Sequence, residues 1–119
     1  MVLTNAERAR AGCPALRNDK RLRTAARAHS EDMAARNYFS HTSPDGVTPW
    51  DRAEAAGYPD PSGENIARGY PDAESVVEVW MGSSGHRANI LNCDSKAIGV
   101  GVELVTGNGP YWTQIFGYS

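Results

Sequence analysis

Cysteine is scarce in this chain of 119 residues: Cys13 and Cys93 are the only two, and they lie far apart. Metal and redox centres usually bring cysteines in close pairs. No C-x-x-C is present, which excludes zinc-finger and thioredoxin-type readings. No stretch approaches the ~20 apolar residues that span a bilayer, so no membrane span is expected. The zinc-protease motif H-E-x-x-H is absent. Gly82-Ser83-Ser84-Gly85 is one residue short of the G-x-S-x-G nucleophile elbow, and no Asp…His order follows to complete a triad. Repeats, low-complexity tracts and linkers are also missing, so 1–119 is expected to be one domain. Met1 abuts a helix-like segment directly, as expected of a start residue placed before a mature domain.

Charge is nearly balanced, at −2 with 22% charged residues. It is nevertheless uneven, with eight Lys/Arg against four Asp/Glu in residues 1–36 and four against ten beyond. The basic residues are spread round helices and no aromatics are interleaved with them. That pattern reads as a solvated surface and argues against a nucleic-acid partner. The two cysteines are expected to form a disulfide, the alternative being two buried thiols. Closing so long a loop is worth roughly 4.5 kcal/mol in the chain-entropy picture, and it places the chain in an oxidising compartment.

The first two-thirds of the chain reads as helices separated by loops. A short helix is expected over residues 3–11, with Thr4 or Asn5 as its cap and Gly12 past its end. Asp19 caps a longer one running to about Asn37, whose Leu22, Ala25, Ala26, His29 and Met33 share a face. His29 on that face reads as a core histidine. Residues 37–46 form a loop rich in turn formers that presents His41. Thr48 or Val47 and then Pro49 open a third helix through Ala56. Residues 64–69 read as a first strand, and Asp72 caps a helix carrying Val76, Val77 and Trp80 inwards. Ser84 is expected to cap a last helical piece from His86 to Leu91.

The C-terminal part is β. Ile98, Val100, Val102 and Leu104 alternate with Gly99, Gly101 and Glu103. A turn at 106–110 and an aromatic-rich strand from Tyr111 to Tyr118 complete an antiparallel hairpin. The glycines leave room for something packed closely over the strand. Helices first and a hairpin last give an α+β layered domain.

Several motifs recur in a specific order: Phe39-Ser40-His41, Gly63-Glu64-Asn65-Ile66-Ala67, the run from Trp80 to Leu91 in the form W-x-x-S-x-G-H-R-x-N-I-L, Ile98-Gly99-Val100-Gly101-Val102, and Tyr111-Trp112-Thr113-Gln114. In that order they resemble the CAP superfamily (cysteine-rich secretory, antigen 5 and pathogenesis-related-1; the SCP domain), in its secreted bacterial branch. The resemblance implies a three-layer α-β-α sandwich with a small antiparallel central sheet and an extracellular or cell-envelope location. Better-known relatives hold two histidines and two glutamates in a cleft that can bind a divalent ion such as zinc. His41 and Glu64 match one of each. Ser83 stands where the second glutamate falls and Tyr111 where the second histidine falls.

The binding cleft is therefore expected at His41, Glu64, Ser83, His86 and Tyr111. His41, Glu64 and His86 are the candidate catalytic set and the candidate ligands for zinc or another divalent cation. Asn65, Asn89 and Gln114 are read as structural amides, and Arg87 as pinning a carboxylate of its own chain. The favoured function is a secreted, monomeric, non-catalytic module for a small-molecule, lipid or cell-envelope ligand. The alternative is a peptidase-like hydrolase using His41 and Glu64, with or without a metal. Attack on cell-wall polymer through paired carboxylates has only Glu64 behind it.

Overall fold

A computed structural model describes residues 1–104 and 109–119, so the expected turn at 106–110 falls mainly outside the described residues. In chain order the elements are α1 (Val2–Arg10), β1 (Arg17–Asn18), α2 (Lys20–Arg36), α3 (Pro49–Ala55), β2 (Pro61–Arg68), α4 (Ala73–Met81), α5 (Ser84–Ile90), β3 (Ala97–Glu103) and β4 (Tyr111–Gly117). The caps follow local chemistry. Asp19 accepts from the N–H groups of Arg21 and Leu22, and Asp72 from that of Ser75. Thr48 and Asp51 form a reciprocal capping box around Pro49. Thr4 and Asn5 do not cap: both lie inside α1, where Asn5 holds the N–H and the C=O of Leu16. The last helix starts after Ser83 rather than Ser84.

The sheet order is β1-β3-β4-β2. β4 lies between β3 and β2 and pairs antiparallel with both, as expected, but the two-residue β1 adds in parallel to β3. A strand that short carries no period for sequence to reveal. β2 is three residues longer at its start than the expected strand and forms the sheet edge. Leu104 falls outside β3 and is 70% exposed.

Alternation along the strands sends side chains into two helical layers. On one face Leu22, Ala25 and Ala26 of α2 and Ala53 of α3 pack with Tyr58, Ala97 and Ile115. On the other, Val76, Val77 and Trp80 of α4 and Ile90 of α5 pack with Ile98, Trp112 and Phe116. These layers make the α-β-α sandwich. β3 meets α2 through its glycines: a Cβ on Gly99 would lie 2.1 Å from the backbone of Leu22 and Arg23, and one on Gly101 2.4 Å from Arg27 N.

Two long-range ties hold α1 to the end of α5. Cys13 and Cys93 form a disulfide across a sequence separation of 80. Arg8, fully buried, donates to the carbonyl oxygens of Pro14, Ile90, Asn92 and Ser95. A guanidinium facing only carbonyls is held by dipoles rather than by a counter-charge, here at the C-terminal end of α5 where carbonyls point outwards.

Candidate functional site

Strand β2 organises the site because its alternate residues face opposite layers. Glu64 points to the α2–α3 side, and its side chain is 2% exposed. His41, from the loop between α2 and α3, bonds Glu64 Oε1 through Nδ1 at 2.8 Å. A carboxylate only accepts, so His41 carries its proton on Nδ1 and a neutral ring leaves Nε2 open. Arg52 of α3 reaches the same carboxylate, with Nη2 3.0 Å from Oε2 and 3.3 Å from Oε1. It also donates to the carbonyls of His41 and Val47. His29 of α2 lies beneath, donating Nε2–H to Ser40 O at 2.9 Å, with Glu64 Oε1 at 4.0 Å. Sequence reasoning missed Arg52. It sits in the short helix α3, and only folding shows that it faces Glu64.

On the opposite side of β2, Asn65 donates to His86 O and to Gln114, Asn89 donates to Asn65 and to Glu64 O, and Gln114 donates to Thr4. These amides tie α1, α5 and two strands together. Trp80 donates Nε1–H to Ile66 O. Arg87 is exposed and, among the described residues, makes no ion pair, so the carboxylate partner expected for it is not there.

A cleft of about 300 Å³ opens along the free edge of β2. Its walls include Phe39, Ile66, Tyr70, Val79 and Trp80, with Arg68, Ser83 and His86 as polar members. Ser83 Oγ does not cap α5 but meets His86 Nδ1 at 2.9 Å. Tyr111, expected in the cleft, is instead 2% exposed and packed with Met33 and Ile66. Its position at the start of β4 turns it towards α2.

The divalent ion implied by the sequence resemblance does not fit this donor set. Both Glu64 oxygens face Arg52, and His41 turns Nδ1 to Glu64. His86 gives Nδ1 to Ser83, which leaves two imidazole nitrogens where a zinc site needs about three protein ligands. Among the described residues no group of three or more His, Cys, Asp or Glu is disposed to hold a metal ion.

Burial pushes His29 below the ordinary imidazole range, opposed by the charge of Glu64 and reinforced by that of Arg52. His86 is lowered too, by burial and then by the charge of a protonated His41, so the two rings are within electrostatic reach. The unfolded chain binds protons at its histidines below about pH 6.5, where the folded chain resists them at these two. Stability is therefore full above that pH and declines on acidification below it. The slope is at most about 1.4 kcal/mol per pH unit for the buried His29 and smaller for the partly exposed His86, where solvent screens the shift. The capping and paired carboxylates Asp32, Asp51 and Asp72 have lowered pKa values and act later, below about pH 4. Urea unfolding between about pH 7.5 and pH 5 should show the histidine decline. A flat profile across that window contradicts it.

The profile of the Cysteine-rich secretory protein family (CAP) matches residues 2–116, and the chain belongs to that family. The uncharacterised protein YkwD of Bacillus subtilis is 46% identical over 115 residues, covering 96% of this chain and 44% of YkwD. The chain thus spans less than half the length of that relative. An extracellular protein with an SCP domain from Bacillus anthracis superposes with a TM-score of 0.90 at 38% identity, covering 98% of this chain and 38% of that one. An outer surface protein of Borrelia burgdorferi reaches 0.88 at 23% identity, covering 98% and 86%, a likeness of fold. No helix among the described residues is long and apolar enough to cross a membrane.

Proposed function

We propose that this chain is a non-catalytic ligand-binding module acting at the cell exterior, and that its ligand is a small molecule with an apolar body and a polar end. The observation that carries this reading is the cleft beside β2: a mostly apolar lining with Arg68, Ser83 and His86 as its polar members. A concave apolar site with a few fixed polar groups is the usual form of a small-molecule site. The disulfide supports an oxidising environment, as does the extracellular setting of the Bacillus anthracis relative.

The test is a titration with a fluorescent long-chain fatty acid and, separately, with a soluble peptidoglycan fragment. Saturable binding of the fatty acid is expected, and none of the fragment, which has no apolar body. Val79→Lys should weaken it by at least about tenfold, or about 1.4 kcal/mol, because Val79 is a wall residue only partly covered at 38% exposure. Absence of saturable fatty-acid binding, or binding unchanged in Val79→Lys, rejects this cleft as the site.

The hydrogen bond from His41 Nδ1 to Glu64 favours a second reading, a peptidase-like hydrolase with His41 as general base. It requires turnover in a broad peptide library that His41→Ala abolishes. Turnover unchanged by His41→Ala, or none at all, excludes it.

A further inference from the structure

Glu64 is a carboxylate taken almost wholly out of water, and a buried charge left without a partner is strongly destabilising. In the arrangement that the sequence resemblance implies, a divalent ion compensates such an acid. Here the compensating charge is covalently part of the chain. Arg52 Nη2 lies against both Glu64 oxygens, and the Arg52 side chain is itself only 9% exposed. Glu64 is the only carboxylate with which it pairs among the described residues.

We propose that the Arg52 guanidinium stands in for the divalent cation, so that the His41–Glu64 pair is held ready without a metal. Three further features agree. The capping box of Thr48 and Asp51, with Pro49 in the first turn, fixes the start of α3, from which Arg52 extends. Its Nη atoms also grip the carbonyls of His41 and Val47, so one side chain fastens both the acid and the loop carrying the histidine. An approaching divalent ion would meet a fixed positive charge and an acid whose oxygens already accept from Arg52 and His41. Arg52 is thus a positioning residue, and its role does not depend on what the cleft binds.

The test compares wild type, Glu64→Gln, Arg52→Lys, Arg52→Met and Arg52→Met/Glu64→Gln. Calorimetric titration of wild type with zinc chloride should show no saturable one-to-one uptake, and its melting temperature should be the same with or without a chelator. Arg52→Met should melt several degrees lower, and adding Glu64→Gln should restore much of that loss, because it removes the charge left uncompensated. Nitrogen NMR in the presence of chelator should show His41 protonated at Nδ1 in wild type and Arg52→Lys, with that signature lost in Arg52→Met. Saturable zinc uptake by wild type that disappears in Glu64→Gln overturns the proposal. So does an Arg52→Met chain whose His41 signature and melting temperature match wild type. If Arg52→Met does not fold, the zinc titration of wild type and the His41 signature of Arg52→Lys still decide it.

Discussion

Replacing Gly99 by alanine is expected to cost at least about 3 kcal/mol of stability, the upper end of what overpacking usually does. One methyl group is enough because of what it would strike. The new carbon would stand 2.1 Å from the α2 backbone at Leu22 and Arg23, and backbone inside a helix cannot rotate away as a side-chain tip can. To relieve the clash α2 must lift from β3, which loosens Leu22, Ala25 and Ala26 from Ala97 and Ile115. Gly101→Ala should behave in the same way against Arg27. Gly85→Ala is the control, since nothing lies within 4 Å of its would-be Cβ. In α5 that change should be neutral or stabilising by up to about 1 kcal/mol. Urea unfolding of the three variants checks this. A Gly99→Ala loss within about 0.5 kcal/mol of the control means that the sheet and α2 are less tightly seated than the contacts require.

The disulfide carries the other large effect. Joining Cys13 to Cys93 restrains a loop of 80 residues in the unfolded chain, worth roughly 4.5 kcal/mol by loop-closure entropy. Against a total of about 5–15 kcal/mol for a domain of ordinary stability, that is a large fraction. A Cys13→Ser/Cys93→Ser chain should therefore melt far below wild type. It should still melt cooperatively, because Arg8 continues to hold the carbonyls of Ile90, Asn92 and Ser95 on either side of residue 93. Thermal unfolding without reductant, beside reduced wild type, measures both parts. A loss under about 1 kcal/mol would show that the unfolded chain is already compact around this loop.

The parts legible in sequence were those whose cause is local. Asp19 and Asp72 announce the starts of α2 and α4 by standing before an apolar period, and both cap as expected. The alternation from Ile98 to Val102 marks β3, and its glycines mark the helix seated on it. The motif order revealed the family and thereby the layered fold. What escaped is non-local. Strand β1 exists only because β3 offers it an edge. Asn5 has the chemistry of a cap but is used on Leu16, eleven positions away. Tyr111 was aligned to a ligand position, yet the strand direction buries it against Met33 and Ile66. Arg52 carries no signal of its own, because its meaning comes from a carboxylate twelve residues later on a different element.

The edge of the sheet has a consequence for how the molecule behaves in company. Among the described residues β2 pairs only with β4, so its other side is open to a strand from a second copy. Two outward carbonyls on that side are already occupied: Asn89 Nδ2 donates to Glu64 O and Trp80 Nε1 to Ile66 O. Side chains of α4 and α5 thus stand where an invading backbone would have to bond. Trp80→Phe, which keeps an aromatic ring but removes the Nε1–H donor, leaves Ile66 O open to such a strand. Light scattering should therefore show the variant associating on concentration before it unfolds; a variant that stays monomeric contradicts this.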